Sequence, residues 1–174
     1  MNEIHVFMLS LETEGLGTAP LMLREPTTAL FALLADIHQA AFAVMDEDGW
    51  SASSIEDLYN HEGVCFYVAM TGDDIQAFAI VRTVGDEAEL LTLASNPAAQ
   101  KRGLALAVMK HVFADMKRGR VVRLFLEVRA DNEPAANLYK KVGFQNMGLR
   151  KNYYKTNTGK RIDACTLART FGAA

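Results

Sequence analysis

Between Glu87 and Phe144 the chain switches hydrophobic period repeatedly, strand then helix then strand then helix, and this order constrains the fold more than any other feature. Glu87 to Ala94 reads as a strand, and Pro97 breaks it. From Arg102 to Lys117 the residues Leu104, Val108, His111, Val112 and Met116 recur at helical spacing, and Gly119 ends the run. Val121 to Val128 is strongly β-prone. Asp131, Asn132 and Pro134 then supply cap and first-turn residues for a helix ending at Gly143. A strand-helix-strand connection returns the chain parallel to its start, so these segments predict parallel pairing within a larger sheet.

The rest of the chain adds elements to that sheet. Thr27, Leu30, Phe31, Leu33, Leu34, Ile37, Ala41 and Phe42 make an amphipathic helix between Pro26 and Val44, with Thr27 or Thr28 as N-cap. After the polar stretch Asp46 to Ser51, a shorter helix is expected over Ser53–Tyr59. Val64–Met70, the turn at Thr71–Asp74 and Ile75–Val84 read as a β-hairpin, and Gly85-Asp86 turns the chain into the Glu87 strand. Phe144 and Ile162–Leu167 supply the last two strands. The expected order is ααβββαβαββ: an α/β (α+β) fold with a mixed sheet of about six to seven strands and helices on both faces. No repeat, low-complexity tract or linker interrupts it, so residues 1–174 are expected to form one domain. The first 25 residues carry the least readable pattern.

Composition removes several classes of function. Lys and Arg number 18 against 21 Asp and Glu, a net charge of −3, which lacks the positive field that binding to nucleic acid or an anionic membrane uses. The N-terminus has neither a basic-then-apolar leader nor a membrane span, being broken by Glu12, Glu14 and Gly15, so a soluble, cytoplasmic protein is expected. His5, His38, His61 and His111 are too scattered for a local metal motif, and no metal is expected. Cys65 and Cys165 sit in apolar runs and read as small core residues.

Three segments carry chemistry. Gln100, Lys101, Arg102, Gly103, Leu104 and Ala105 stand between a strand and a helix start, where unpaired N–H groups and the helix dipole favour an anion such as a diphosphate. Neither a Walker loop nor a three-glycine dinucleotide fingerprint is present. Glu127 interrupts the apolar strand Leu124–Val128, on one face with Phe125 and Arg129. Its residue type suits either a general base for an amine or a surface ion pair with Arg129 or a neighbour. Tyr139 lies beside the stripe Ala135, Leu138, Val142 of the following helix.

Asn132 to Phe144 resembles the signature N-x-x-A-x-x-L-Y-x-x-x-G-F of the GNAT acetyltransferases, and Gln100 to Ala105 resembles their acetyl-CoA loop, Q/R-x-x-G-x-G/A. Leu126 to Ala130 and Arg150 to Tyr154 are similar to the branch that acetylates the N-terminal alanine of ribosomal proteins. The resemblance spans roughly Glu87 to Arg169. It implies an acetyl-CoA-dependent N-acetyltransferase that transfers directly within a ternary complex, with Glu127 as base and Tyr139 as acid. It also implies that Leu93, Ala94 and Ser95 meet the acetyl and pantetheine groups, that Lys101, Arg102, Gly103, Leu104, Ala105 and Leu106 hold the diphosphate, and that Asn132 touches the cofactor. The implied acceptor is a protein N-terminus, in particular that of a ribosomal protein. A small-molecule amine substrate and a non-catalytic acyl-CoA-binding module are the alternatives. The branch often carries Phe-x-x-Pro-Trp-Ser after the first helix, whereas here Gly49 precedes Trp50 and Ser51, and Asp46, Glu47 and Asp48 add negative charge that suits a cationic peptide or a solvated loop.

Overall fold

The computed structural model of the chain describes residues 3–9, 23 and 26–172. Its elements are β1 (Ile4–Leu9), α1 (Thr28–Ala43), α2 (Ala52–Tyr59), β2 (Val64–Thr71), β3 (Asp74–Val84), β4 (Glu87–Ser95), α3 (Leu104–Arg118), β5 (Arg123–Arg129), α4 (Glu133–Lys141), β6 (Gln145–Lys155) and β7 (Arg161–Thr170), with a 3₁₀ turn at Pro97–Ala99. Among the described residues the strands form one seven-stranded mixed sheet in the order β1-β2-β3-β4-β5-β7-β6. The stretch around Glu12, Glu14 and Gly15 lies outside the described residues.

Local chemistry sets the element boundaries. Gly72 and Gly85 take φ of 63° and 61° at the first central position of two-residue turns, where Thr71 pairs with Asp74 and Val84 with Glu87; glycine supplies that positive φ without steric cost. Asn132 caps α4 by accepting from the Ala135 N–H, and Pro134 occupies its first turn. Ser51 does the same for α2 through the Ser54 N–H.

Two expectations need correction. A first strand, β1, precedes the helices and pairs antiparallel with β2. The β5-α4-β6 connection does not give neighbouring parallel strands, because β7 pairs antiparallel with both and lies between them. The hairpin β6-β7 returns inside its own outgoing strand, a long-range choice that no local signal encodes. The β4-α3-β5 connection does pair parallel.

Each face of the sheet buries its own apolar layer. α1 and α2 cover one with Leu30, Phe31, Leu34, Ile37 and Ile55 against Phe66, Val68, Phe78 and Ile80. α3 and α4 cover the other with Val108, Met109, Val112 and Tyr139 against Ala77, Ala79, Leu124 and Leu126. Burying each large apolar side chain contributes about 1.5–3 kcal/mol before entropy is counted. Cys65 and Cys165 are half-buried and pack against the α3 side of this core.

Candidate active site

The ladder between β4 and β5 is short. Glu87 to Leu90 pair with Arg123 to Leu126, and past Leu90 the two strands share no register. β4 is also irregular here: Ile80 pairs with Thr92 and Val81 with Leu90, which leaves Leu91 as the extra residue of a β-bulge. A bulge bends and twists its strand, so Leu91 to Ser95 depart from β5 and a cavity of about 460 Å³ opens between them.

Leu93, Glu127, Asn132 and Tyr139 all line this cavity. Alternation along β5 turns Leu126 and Val128 into the α3 side of the core and Glu127 to the opposite face. Tyr139 comes from α4 on the α3 side, so base-type and acid-type side chains enter one cleft from opposite faces of the sheet. Tyr139 is 7 % exposed and packs edge-on to Phe144; burial raises its pKa, which keeps the phenol protonated. Glu127 pairs with Arg150 at 2.6 Å rather than with Arg129. The Tyr153 hydroxyl is hydrogen-bonded to the same carboxylate, which raises the tyrosine pKa.

Ala94, Ser95 and Lys101 to Leu106 do not line the cavity. Ala94 is buried toward α1, and Ser95 ends β4 opposite Ala77. Lys101, Arg102 and Gly103 are exposed at the start of α3, with φ of 59° at Lys101 and 83° at Gly103. Gly103 is the N-cap, so no side chain caps the helix. The first helical bond runs from Ala107 N–H to Gly103 C=O at 2.9 Å, leaving the preceding N–H groups without an intrahelical acceptor. A Cβ at Gly103 would meet nothing within 4 Å, so glycine is needed there for conformation and the ground above the helix end is open. An uncapped helix start beside two cations suits a diphosphate. Leu104 is buried, so its contribution to such a site is its backbone.

The acidic run after α1 is engaged, contrary to a solvated loop. Asp46 accepts from the Thr158 N–H at 3.1 Å and its hydroxyl at 2.5 Å, and Asp48 accepts from Asn157 Nδ2 at 3.0 Å. The Thr158 bonds hold the Asp46 pKa below the ordinary carboxylate value. Glu47 pairs at 2.7 Å with Arg129, whose guanidinium also holds both oxygens of Asp131 and the Met45 carbonyl. These contacts fasten the loop across the cleft to the β6-β7 turn. Gly49 lies against α1: a Cβ there would come within 2.4 Å of the Gln39 Cα, which explains glycine in this loop.

His38 also lines the cavity, and sequence spacing missed it. It is 1 % exposed and stacks between Phe42 and Trp50, with centroids 4.1 and 4.9 Å away. Burial lowers its pKa from 6.5 to about 4, so the folded chain keeps the ring neutral where the unfolded chain protonates it. The associated stability is complete above pH 6.5 and lost as pH falls toward 4, an expected loss of about 3 kcal/mol at ~1.4 kcal/mol per pH unit. Denaturant midpoints of the wild type and His38→Gln across this range test it; parallel acid losses in both would assign the effect to other groups.

A sheet split beside a bulged β4, with an uncapped helix start after it, is the architecture of an acyl-CoA-dependent acyltransferase. Residues 31–144 match the model of the acetyltransferase (GNAT) family, and the chain belongs to that family; it is an acetyl-CoA-dependent N-acetyltransferase. Over 119 residues it is 36% identical to the [ribosomal protein bS18]-alanine N-acetyltransferase of Escherichia coli K12, covering 68% of this chain and 79% of that one. It is 31% identical over 163 residues to the N-alpha-acetyltransferase RimI of Mycobacterium tuberculosis, covering 89% and 96%. The crystal structure of the ribosomal-protein-S18-alanine N-acetyltransferase from Escherichia coli superposes with a TM-score of 0.78 at 30% identity, covering 98% of this chain and 96% of that one. Among the described residues no helix is long and apolar enough to cross a membrane, and no group of three or more His, Cys, Asp or Glu is placed to hold a metal.

Proposed function

We propose that this enzyme acetylates the N-terminal α-amine of a protein, with an alanine-led ribosomal protein as the substrate class, that it does so in the cytoplasm, and that residues 1–174 form one domain. The observation that carries the chemistry is the entry of Glu127 and Tyr139 into one cleft from opposite faces of the sheet. Similarity to the bS18-alanine and N-alpha acetyltransferases over most of their length supports the acceptor.

Transfer is direct. Glu127 accepts a proton from the acceptor amine; the nitrogen attacks the thioester carbonyl carbon; the C–S bond breaks, and the departing thiolate takes its proton from the Tyr139 hydroxyl. An α-amine titrates near ~7.7–8.0, so part of the acceptor is already unprotonated near neutral pH and alignment of the partners supplies much of the rate. The guanidinium of Arg150, now on Glu127, has to make room for the amine. The backbone N–H of Leu93, past the end of the β4-β5 ladder and directed away from β3, stabilises the oxygen of the tetrahedral intermediate. Lys101 to Leu106 bind the diphosphate, and Ser95 and Asn132 meet the pantetheine and nearby groups.

Thiol release from acetyl-CoA tests the acceptor, using peptides led by Ala, Ser or Met, a blocked peptide and polyamines. The expected result is turnover of free termini, best with Ala, and none with the blocked peptide. Turnover of polyamines without peptide turnover would replace this acceptor with a small amine.

A further inference from the structure

We infer that His38 is a positioning residue that ties the loop after α1 to β4 at the point where β4 leaves β5, so that one side chain sets both walls of the transfer cleft. The inference rests on the acyl-transfer reading for the meaning of the two walls, and on geometry for the tie itself. His38 Nδ1 lies 3.1 Å from the Trp50 N–H. A backbone N–H only donates, so Nδ1 is the unprotonated nitrogen and Nε2 carries the hydrogen. Nε2 then donates to Thr92 Oγ1, 3.0 Å away. Thr92 directly follows Leu91, the bulge residue, and is itself buried. The ring thus bridges a loop 12 positions ahead and a strand 54 positions ahead.

Packing alone does not call for this residue. A phenylalanine would fill the slot between Phe42 and Trp50, whereas here both ring nitrogens are used, each on a different wall. Trp50 and Glu47 of the loop and Thr92 and Leu93 of β4 line the same cavity, the latter two just past the point where β4 has lost its ladder to β5. The bridge needs the neutral ring, because a hydrogen on Nδ1 would oppose the Trp50 N–H; the apolar surroundings of Phe42, Phe78 and Trp50 favour that state. Glu47, Asp48 and Glu89 line the same cavity, and Glu47 is occupied by Arg129.

Two substitutions separate the walls. In His38→Gln the amide nitrogen stands near Nε2, keeping the bond to Thr92 and losing the acceptor for Trp50. In His38→Asn the amide oxygen stands near Nδ1, keeping Trp50 and losing Thr92. Trp50 is the single tryptophan of the chain, so its emission reports the loop without any acceptor present. His38→Gln is expected to red-shift that emission and raise the acceptor KM about tenfold, the worth of one hydrogen bond, with acetyl-CoA binding by calorimetry near wild type. His38→Asn is expected to keep the emission and to lower kcat and acetyl-CoA affinity, together about tenfold. If both variants merely lower the melting temperature, with emission, acetyl-CoA affinity and acceptor KM unmoved or moved in parallel, His38 is a packing residue and the inference fails. If the wild type turns over no peptide, the acceptor assignment fails instead, and emission and acetyl-CoA affinity still decide the role of His38.

Discussion

Glu127→Gln is expected to lower kcat on peptide acceptors by about 10²–10⁴-fold near neutral pH, the usual worth of a positioned general base. The amide keeps the size of the carboxylate and loses only its basicity and its pairing with Arg150, so acetyl-CoA affinity is expected to stay within about twofold. The deficit should shrink as pH rises past the amine's own pKa of ~7.7–8.0, because the acceptor then arrives deprotonated and needs less help. Tyr139→Phe removes the hydroxyl and leaves the ring on Phe144, so it isolates the proton to the thiolate. A single-turnover measurement with both variants across pH separates the two roles. Equal rates in wild type and Glu127→Gln would remove Glu127 from the mechanism, and a deficit independent of pH would make it a binding residue.

The parts of this fold that the sequence makes legible are those whose causes are local. α4 carries its cap at Asn132, its proline at position 134 and its closing Gly143 within twelve positions, and each does in the structure what its type predicts. The Gly72 and Gly85 turns are equally local. Pairing of β7 between β5 and β6 is not, since it depends on which edge of the sheet the last hairpin finds. β1 is hidden for a similar reason: six residues whose one partner among the described strands is β2 show little beyond apolar content. The same divide runs through the cleft. Glu127 and Tyr139 sit in dense local motifs, whereas His38 takes its meaning from Thr92, and Asp46 from Thr158, 112 positions away. An acidic run reads as a solvated loop until its donors arrive from the far end of the chain.

Arg129 shows how much can hang on such a distant partner. Arg129→Met is expected to cost about 3–5 kcal/mol of stability, the range for breaking a buried ion pair from one side. The guanidinium is 6 % exposed and binds Glu47 and Asp131 at 2.7 Å and the Met45 carbonyl at 2.6 Å. These bonds, with Asp131 foremost, raise its pKa further and lower that of Asp131, so Arg129 and Asp131 stay ionised at neutral pH. The loss is not shared equally between the carboxylates. Asp131, with a side chain 47 % exposed, can return to water, but Glu47 at 11 % would be left charged and poorly solvated. Adding Glu47→Gln to Arg129→Met should therefore restore part of the stability, whereas adding Asp131→Asn should restore little. Because Met45 and Glu47 belong to the loop over the cleft, Arg129→Met should also raise the acceptor KM more than it raises that of acetyl-CoA. Denaturant midpoints at unchanged m-value give the stability arm. A loss under about 1 kcal/mol would mean that this ion pair, despite its burial, behaves as a solvated one.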